Sequence, residues 1–207
     1  MEPASVVIAT HNRAGLLPAT LASVVAALRD DDEIVVVDDG STDDTAELFH
    51  AAKVPWQGRV RYLPLPWGGA GRAFNAGIAG ARHDLIAFAD SDDLWLPYRL
   101  DLGRRVMESE PTLGYCFSNF LELTADGRLI PHWLVRWSED PRPWDEILAP
   151  GFSYAARWPL PETLPPADAS FRVYVGSMYR QQLHRNYMCV NTLLVRRSRV
   201  GDALRFG

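Results

Sequence analysis

The residues most suited to chemistry are Asp90, Asp92 and Asp93, which follow directly on the apolar run Leu85-Ile86-Ala87-Phe88-Ala89. Carboxylates placed this closely repel one another, and the cluster costs stability unless a cation or a network of donors compensates it. Asp90 and Asp92 are two positions apart, a spacing that lets both approach one hard cation and its bound waters. Mg²⁺ or Mn²⁺ suits such a pair, because Mg²⁺ commonly takes one or two carboxylates and completes its shell with substrate phosphates and water. The plainer alternative is a solvated acidic turn that caps the following helix.

The elements around the cluster decide between these readings. Residues 85–89 are too few for an ordinary helix and read as a buried strand. Ser5-Val6-Val7-Ile8-Ala9 is a similar run, ending at the loop Thr10-His11-Asn12-Arg13-Ala14-Gly15. Glu33-Ile34-Val35-Val36-Val37 is another, and it too ends in acids, Asp38-Asp39, followed by Gly40. Residues 60–65 make a third strand in chain order, weakened by Pro64. Between these runs, Leu17, Leu21, Val24, Val25 and Leu28 share one helical face, with Pro18 tolerated in the first turn. Ser41-Thr42-Asp43-Asp44 resembles a capping box for a helix through Phe49. The glycine-rich segment Gly68-Gly69-Ala70-Gly71-Arg72 opens a small-residue helix reaching about Ala81.

Strands that alternate with helices across short connections imply βαβ units and a largely parallel sheet covered on both faces. Ligands in such sheets bind outside the carboxyl ends of the strands. The loops carrying His11, Asp39, Arg72 and Asp90–Asp93 all follow strands, and one crevice is expected to gather them. That shared placement favours a site over a solvated turn.

Composition sets outer limits. The chain has 207 residues, 47% of them hydrophobic, enough for one sizeable core and a single α/β domain. Its formal net charge of −5 argues against binding nucleic acid through phosphate neutralisation. Two cysteines, Cys116 and Cys189, offer neither a disulfide framework nor a zinc spacing and are expected to be buried thiols. The first residues lack a basic stretch and a signal-type apolar segment, and the apolar helix of residues 16–28 is too short to span a bilayer. A cytoplasmic chain is expected, peripheral to a membrane if it meets one.

Further along, Leu100, Val106 and Met107 mark a helix after Pro97. Residues 114–123 have strand character, and Asp126-Gly127 signals a hairpin into residues 128–130. Residues 131–166 mix prolines with Trp133, Trp137, Trp144 and Trp158 and read as an ordered, irregular flap. Residues 171–184 are expected to form a helix, and residues 189–195 a last strand.

In order along the chain, SVVIATHNR, EIVVVDDGSTDDT, GGAGRAFNAGI and LIAFADSDDLWLP resemble the motifs of family 2 glycosyltransferases of the GT-A fold, and VNTLLVRRS resembles the strand before that family's acceptor-side motif. The resemblance spans nearly the whole chain and is weak between residues 131 and 185. It implies a Rossmann-like, mostly parallel sheet in one nucleotide-sugar-binding domain, 1–207. The donor-nucleotide half would be 1–110, and 111–207 a partial acceptor half with a Pro/Trp-rich flap at about 131–170. It also implies transfer of a sugar, with inversion, from a nucleoside diphosphate donor to an acceptor hydroxyl, UDP-sugar being favoured, with Mn²⁺ or Mg²⁺ as cofactor. The acceptor is a carbohydrate, lipid-linked or other hydroxyl compound.

Carried over by position, Asp92 is the direct metal ligand, and Ala9, His11, Asp39, Arg72, Asp90 and Ser91 bind the nucleotide. Asp39 would accept a hydrogen bond from the base, since an ionised carboxylate is acceptor-only and suits an imide N–H. His11 would stack on that base, Arg72 would balance the phosphates or the aspartates, and Asp90 would stand near the ribose or a metal-bound water. The family's catalytic base is a Glu-Asp pair soon after the VRRS-like strand. Here Asp202 is the only acid after Arg197, and it does not sit in that motif. The resemblance leaves two sources for a base: a pair beyond Gly207 in a longer chain, or an upstream acid such as Glu162 or Asp168.

Two other readings stay open from sequence. A nucleotide- or partner-binding module would keep the fold without transfer. A dinucleotide enzyme would use Gly69-Ala70-Gly71 as its turn and Asp90 as the ribose acid, although Phe74 occupies the position of that fingerprint's third small residue.

Overall fold

The computed structural model describes residues 1–50, 58–130, 133–148, 151–157, 170–182 and 185–207. They form two compact units, 1–117 with 190–207, and 118–189.

In the first unit the branched apolar runs become β1 (Ala4–Thr10), β2 (Glu33–Asp39), β3 (Val60–Leu65) and β4 (Leu85–Asp90), all mutually parallel. Two short strands complete the sheet, β5 (Tyr115–Cys116) and β10 (Leu194–Arg196), in the order β3-β2-β1-β4-β10-β5. β10 runs antiparallel to both β4 and β5, which makes the sheet mostly parallel. Pro64 sits in an edge strand, where its missing N–H is harmless.

Helices α1 (Leu17–Ala26), α3 (Ala70–Gly80) and α4 (Arg99–Ser109) cover the sheet. Alternate strand residues serve opposite faces. Val6, Ile8, Ile34, Val36, Ala87 and Ala89 pack with Leu17, Leu21, Val24, Leu100 and Met107. Val7, Val35, Val37, Ile86, Phe88 and Val195 pack with Ala73, Phe74 and Ile78 of α3, and Leu204 and Phe206 adjoin them. Because both faces are buried, the strands read as continuous hydrophobic runs. Gly77 lets α3 lie close on the sheet, since a Cβ there would come within 2.2 Å of Val7 Cγ1.

The first unit departs from expectation after β2. Helix α2 is described over Glu47–His50 and starts later than the capping-box pattern at residues 41–44 suggests. The backbone before it is held by side chains instead: Ser41 N–H donates to Asp38, Thr42 N–H to Asn12 and Thr45 N–H to Asp43. The Ser41 and Thr45 bonds are local, and such bonds compete with helix formation. Neither Cys116 nor, in the second unit, Cys189 forms a disulfide, and both residues are half-buried. The Asp32 carboxylate accepts from Ala4 N–H at 2.8 Å and pairs with the fully buried Arg104 of α4.

The second unit contains a small hairpin, β6 (Glu122–Leu123) with β7 (Leu129–Ile130), turning through Gly127 at φ +82°. Helices α5 (Trp133–Ser138), α6 (Trp144–Ile147) and α7 (Tyr179–Gln182) and a second hairpin, β8 (Gly151–Arg157) with β9 (Ser170–Gly176), make up its other elements. The expected strand over 114–123 is therefore two separate pairs of residues. The described part of the expected irregular flap is largely regular. Residues 170–176 are a strand where a helix over 171–184 was expected, because Phe171, Val173 and Val175 alternate with Arg172 and Tyr174 and the segment pairs in full register with β8. Among the described residues no helix is long and apolar enough to cross a membrane.

Candidate functional site

The parallel sheet reverses its winding at β1, which has β2 on one side and β4 on the other. The helix leaving β1, α1, and the helix entering β4, α3, lie on opposite faces, and the crevice outside the carboxyl ends of such neighbouring strands is the usual ligand position. Ala9 and Asp90 are register partners at that point. The crevice has a volume of about 500 Å³ and is lined by Ala9, His11, Asn12, Arg13, Ala70, Phe74, Asp90, Ser91 and Asp92.

Its walls are stitched together by side chains from different loops. His11 Nδ1 lies 2.8 Å from the Asp39 carbonyl oxygen, which can only accept, so Nδ1 carries the proton. Nε2 then accepts from the Asn12 amide at 3.2 Å. Asn12 adopts a left-handed backbone, φ 52°, and its N–H donates to Ser41 Oγ at 2.9 Å. The first loop and the loop after β2 are thus one connected surface.

Asp39 is nearly fully buried, and its two carboxylate oxygens accept from the N–H groups of Gly68 and Gly69 at 2.9 and 2.7 Å. It shapes the glycine turn that starts α3 and does not line the crevice. Gly40 tightens the same corner: at φ +70° it packs so closely on Trp67 that a Cβ would lie 2.6 Å from the Trp67 nitrogen. Arg72 is exposed and also stands outside the lining. Its Nη1 donates 2.8 Å to the Pro66 carbonyl, because the turn folds the side chain back along the loop it follows. Ala70 and Phe74 of the same helix face the crevice instead.

The acidic loop is differently placed. Burial, then the charges of Asp93 and Asp92, push the Asp90 carboxyl up to about 6. Asp92 is more open and meets Arg13 Nε at 3.4 Å, with both side chains nearly half exposed, a geometry worth little in solvent. Asp93 is turned to the Asn191 amide, which donates to it. The Ser91 carbonyl accepts from Thr20 Oγ1 at 3.0 Å, and Trp95 N–H donates to Ser23 Oγ at 3.0 Å.

The structure therefore brings Ala9, His11, Asp90, Ser91 and Asp92 to one crevice and leaves Asp39 and Arg72 outside its lining. Asn12, Arg13, Ala70 and Phe74 join the lining: Asn12 and Arg13 adjoin His11 in a loop already suspect, and Ala70 and Phe74 lie in the glycine-rich segment and the helix it opens. Among the described residues no three His, Cys, Asp or Glu side chains form a ready-made metal centre. Asp90 and Asp92 nonetheless fit a hard cation whose remaining ligands come from phosphate and water. They supply oxygen donors, and Asp90 is a largely desolvated carboxylate repelled by its neighbours. Cys116 is no candidate nucleophile, since burial pushes its thiol up to about 11. Glu162 and Asp168 lie outside the described residues, as does Trp158.

A Rossmann-like, mostly parallel sheet is the architecture of GT-A glycosyltransferases, and solved structures of such enzymes match it. The structure of S. aureus TarS 1–349 in complex with UDP-GlcNAc superposes with a TM-score of 0.54 at 22% identity, over 66% of this chain and 38% of that one. The mannosyltransferase PcManGT of Pyrobaculum calidifontis, in complex with GDP-Man and Mn²⁺, gives 0.51 at 24% identity, over 56% and 35%. The chain belongs to glycosyl transferase family 2, whose family model matches residues 5–187.

Among curated relatives, a glycosyltransferase of Nostoc sp. without an assigned activity is 36% identical over 110 residues, 53% of this chain and 34% of the relative. The Escherichia coli UDP-Glc:alpha-D-GlcNAc-diphosphoundecaprenol beta-1,3-glucosyltransferase WfaP is 31% identical over 121 residues, 58% and 47%. The succinoglycan biosynthesis protein ExoO of Rhizobium meliloti is 38% identical over 125 residues, 59% and 34%. The matched segment spans less than half the length of each of these relatives.

Proposed function

We propose that this chain binds the donor of a metal-dependent, inverting sugar transfer: a nucleoside diphosphate sugar, with UDP-sugar favoured, whose sugar passes to an acceptor hydroxyl. The observation that carries this reading is the shared crevice of Asp90 and Asp92 at the carboxyl ends of β1 and β4. Relatives support the classes of ligand. WfaP is named for UDP-Glc and a lipid diphosphate acceptor, and the solved neighbours hold UDP-GlcNAc, or GDP-Man with Mn²⁺. A lipid-linked acceptor would bring a cytoplasmic chain to a membrane surface.

A divalent cation, Mn²⁺ or Mg²⁺, bound by Asp92 with Asp90 beside it, would supply neutralisation of the charge that builds on the departing diphosphate. The chain's own groups do the remaining work. The His11 ring, fixed by the Asp39 carbonyl, presents a flat surface for the base. Asp39, buried outside the lining, would serve the base through the carbonyl that fixes His11 and through the glycine turn it braces. The first turn of α3, which reaches the crevice at Ala70, presents N–H groups that favour phosphate. Arg13 needs only to exchange a loose partner to meet the same charge. Arg72 can join by giving up exposed bonds to Pro66 and Trp67, each worth about 1 kcal/mol.

Among the described residues the acids lining the crevice are Asp90 and Asp92, and both would be taken up by the donor's cation. Glu162 and Asp168 are the candidates within this chain for taking the acceptor proton, a role typically worth about 10²–10⁴ in rate.

A thermal-shift panel of UDP, TDP, GDP and NADH, each with Mn²⁺ and with EDTA, tests the reading. UDP with Mn²⁺ should stabilise the chain most, by about 2.7 kcal/mol at a hundredfold excess over its dissociation constant. A clear win for GDP or TDP would overturn the uracil assignment alone, whereas stabilisation by NADH would favour a dehydrogenase.

A further inference from the structure

The acidic loop leaves β4 tied on two sides. α1 holds it through the hydroxyls of Thr20, on the Ser91 carbonyl, and Ser23, on the Trp95 N–H. The third tie comes from far along the chain, in the 3-10 turn Val190–Thr192 that precedes β10, where the Asn191 side-chain amide donates to Asp93 Oδ2. Asn191 is itself anchored. Its carbonyl accepts from Arg99 Nη2 at 3.1 Å, and the same Nη2 reaches the Leu193 carbonyl at 3.1 Å. The Arg99 guanidinium lies 4.3 Å from the centre of the Trp95 ring. Asp93, Asn191, Arg99 and Trp95 therefore close a ring of contacts around the acidic loop.

The consequence is a sorting of three neighbouring carboxylates. Asp90 and Asp92 line the crevice, and Asp93 does not. Without a donor at 191, Asp93 would be a partly buried carboxylate beside two like charges, and it would turn toward solvent or compete for the crevice. We propose that Asn191 is a positioning residue for the cation and diphosphate site, holding Asp93 aside so that Asp90 and Asp92 present the donor atoms. This rests on the reading that those two acids hold a cation. Partners that orient metal ligands typically contribute about 10–100-fold to metal affinity.

The test is calorimetric, with UDP and Mn²⁺ as the probes. The quantity read is the ratio of UDP affinity in Mn²⁺ to UDP affinity in EDTA. Asn191→Ala should lower that ratio about tenfold, and Asn191→Asp should lower it further by facing Asp93 with a like charge. Asp93→Asn combined with Asn191→Asp restores one carboxylate and one amide with roles exchanged, and should recover most of the ratio. A purely structural role for Asn191 would move the melting temperature and leave the ratio alone. Should Asn191→Ala fold poorly, Asn191→Ser, with a shorter donor, is expected to give an intermediate ratio. Singles that keep the natural ratio, or a double variant no better than Asn191→Asp, would overturn the proposal. A natural chain that binds UDP equally in Mn²⁺ and EDTA would overturn the cation reading and the role of Asn191 together, an outcome distinct from a metal effect the variants leave intact.

Discussion

Two strands of one sheet end in adjacent acids, and the structure treats the two ends oppositely. At the end of β2, Asp38 accepts from Ser41 N–H and the Tyr62 hydroxyl, while Asp39 accepts from Gly68 and Gly69 N–H. Both are nearly fully buried. At the end of β4, the Asp90 carboxylate has no hydrogen bond or ion pair from the described residues, and it is pushed up by burial and by Asp93 and Asp92. The first end is an internal brace, with charge compensated by the chain. The second is incompletely compensated, and a ligand is its natural complement. Acid content alone does not distinguish them; the supply of donors does.

That contrast can be broken most forcefully at Asp39. Replacing it by Ala orphans two backbone N–H groups in the turn before α3 and should cost about 3 kcal/mol of stability, read from the urea midpoint. A loss below about 0.5 kcal/mol would mean the brace is dispensable and the contrast false.

Glu33 extends the comparison to the opposite end of β2. Burial raises its carboxyl, but the Arg82 N–H, the Ser5 hydroxyl and the charges of Arg61 and Arg82 outweigh this and lower it overall. A lowered folded-state value contributes stability that is present above the unfolded value, about 4.3, and is lost as pH falls through the folded one. Glu33→Gln should therefore cost about 1–2 kcal/mol at pH 7, and the difference from the natural chain should shrink below about pH 4. A difference that stays constant from pH 7 to pH 3 would remove Glu33 from the compensated acids.

The smallest effect is expected at Asp90, and its sign is reversed. Asp90→Asn relieves a desolvated, repelled charge, so the metal-free chain should gain about 1 kcal/mol, limited because solvent reaches the crevice. A loss of stability in EDTA would show that Asp90 has a structural partner after all.

How far these features were legible in the sequence follows from where their energetics lie. β1, β2 and β4 could be read because both faces are buried and every position in the run had to be apolar or small. The acid loop after β4, and its nearness to His11, followed from strand direction alone. Asp39's brace could not be read, because its partners are backbone N–H groups 29 and 30 positions away that any residue would offer. The buried Arg104–Asp32 pair joins residues 72 apart and resembles surface charge in the sequence. In residues 118–189 the elements are short and set by individual pairings. Tyr187 donates to Asp140 at 2.5 Å, Asp140 holds Arg142 at 2.6 Å, and β9 takes its state from β8. The aromatic content of 131–166 suggested irregularity, whereas Trp144 packs with Tyr174 and Tyr187 and Trp137 meets Phe120 edge-on.

The central claim is that the β4 acids are a cation-dependent nucleotide site, and isothermal titration of UDP into the natural chain and Asp92→Asn, each in Mn²⁺ and in EDTA, tests it directly. The account predicts tight binding only for the natural chain in Mn²⁺, with EDTA and Asp92→Asn each removing the metal-dependent part while the fold persists. Equal affinity in Mn²⁺ and EDTA, or Asp92→Asn binding as the natural chain does, would contradict it.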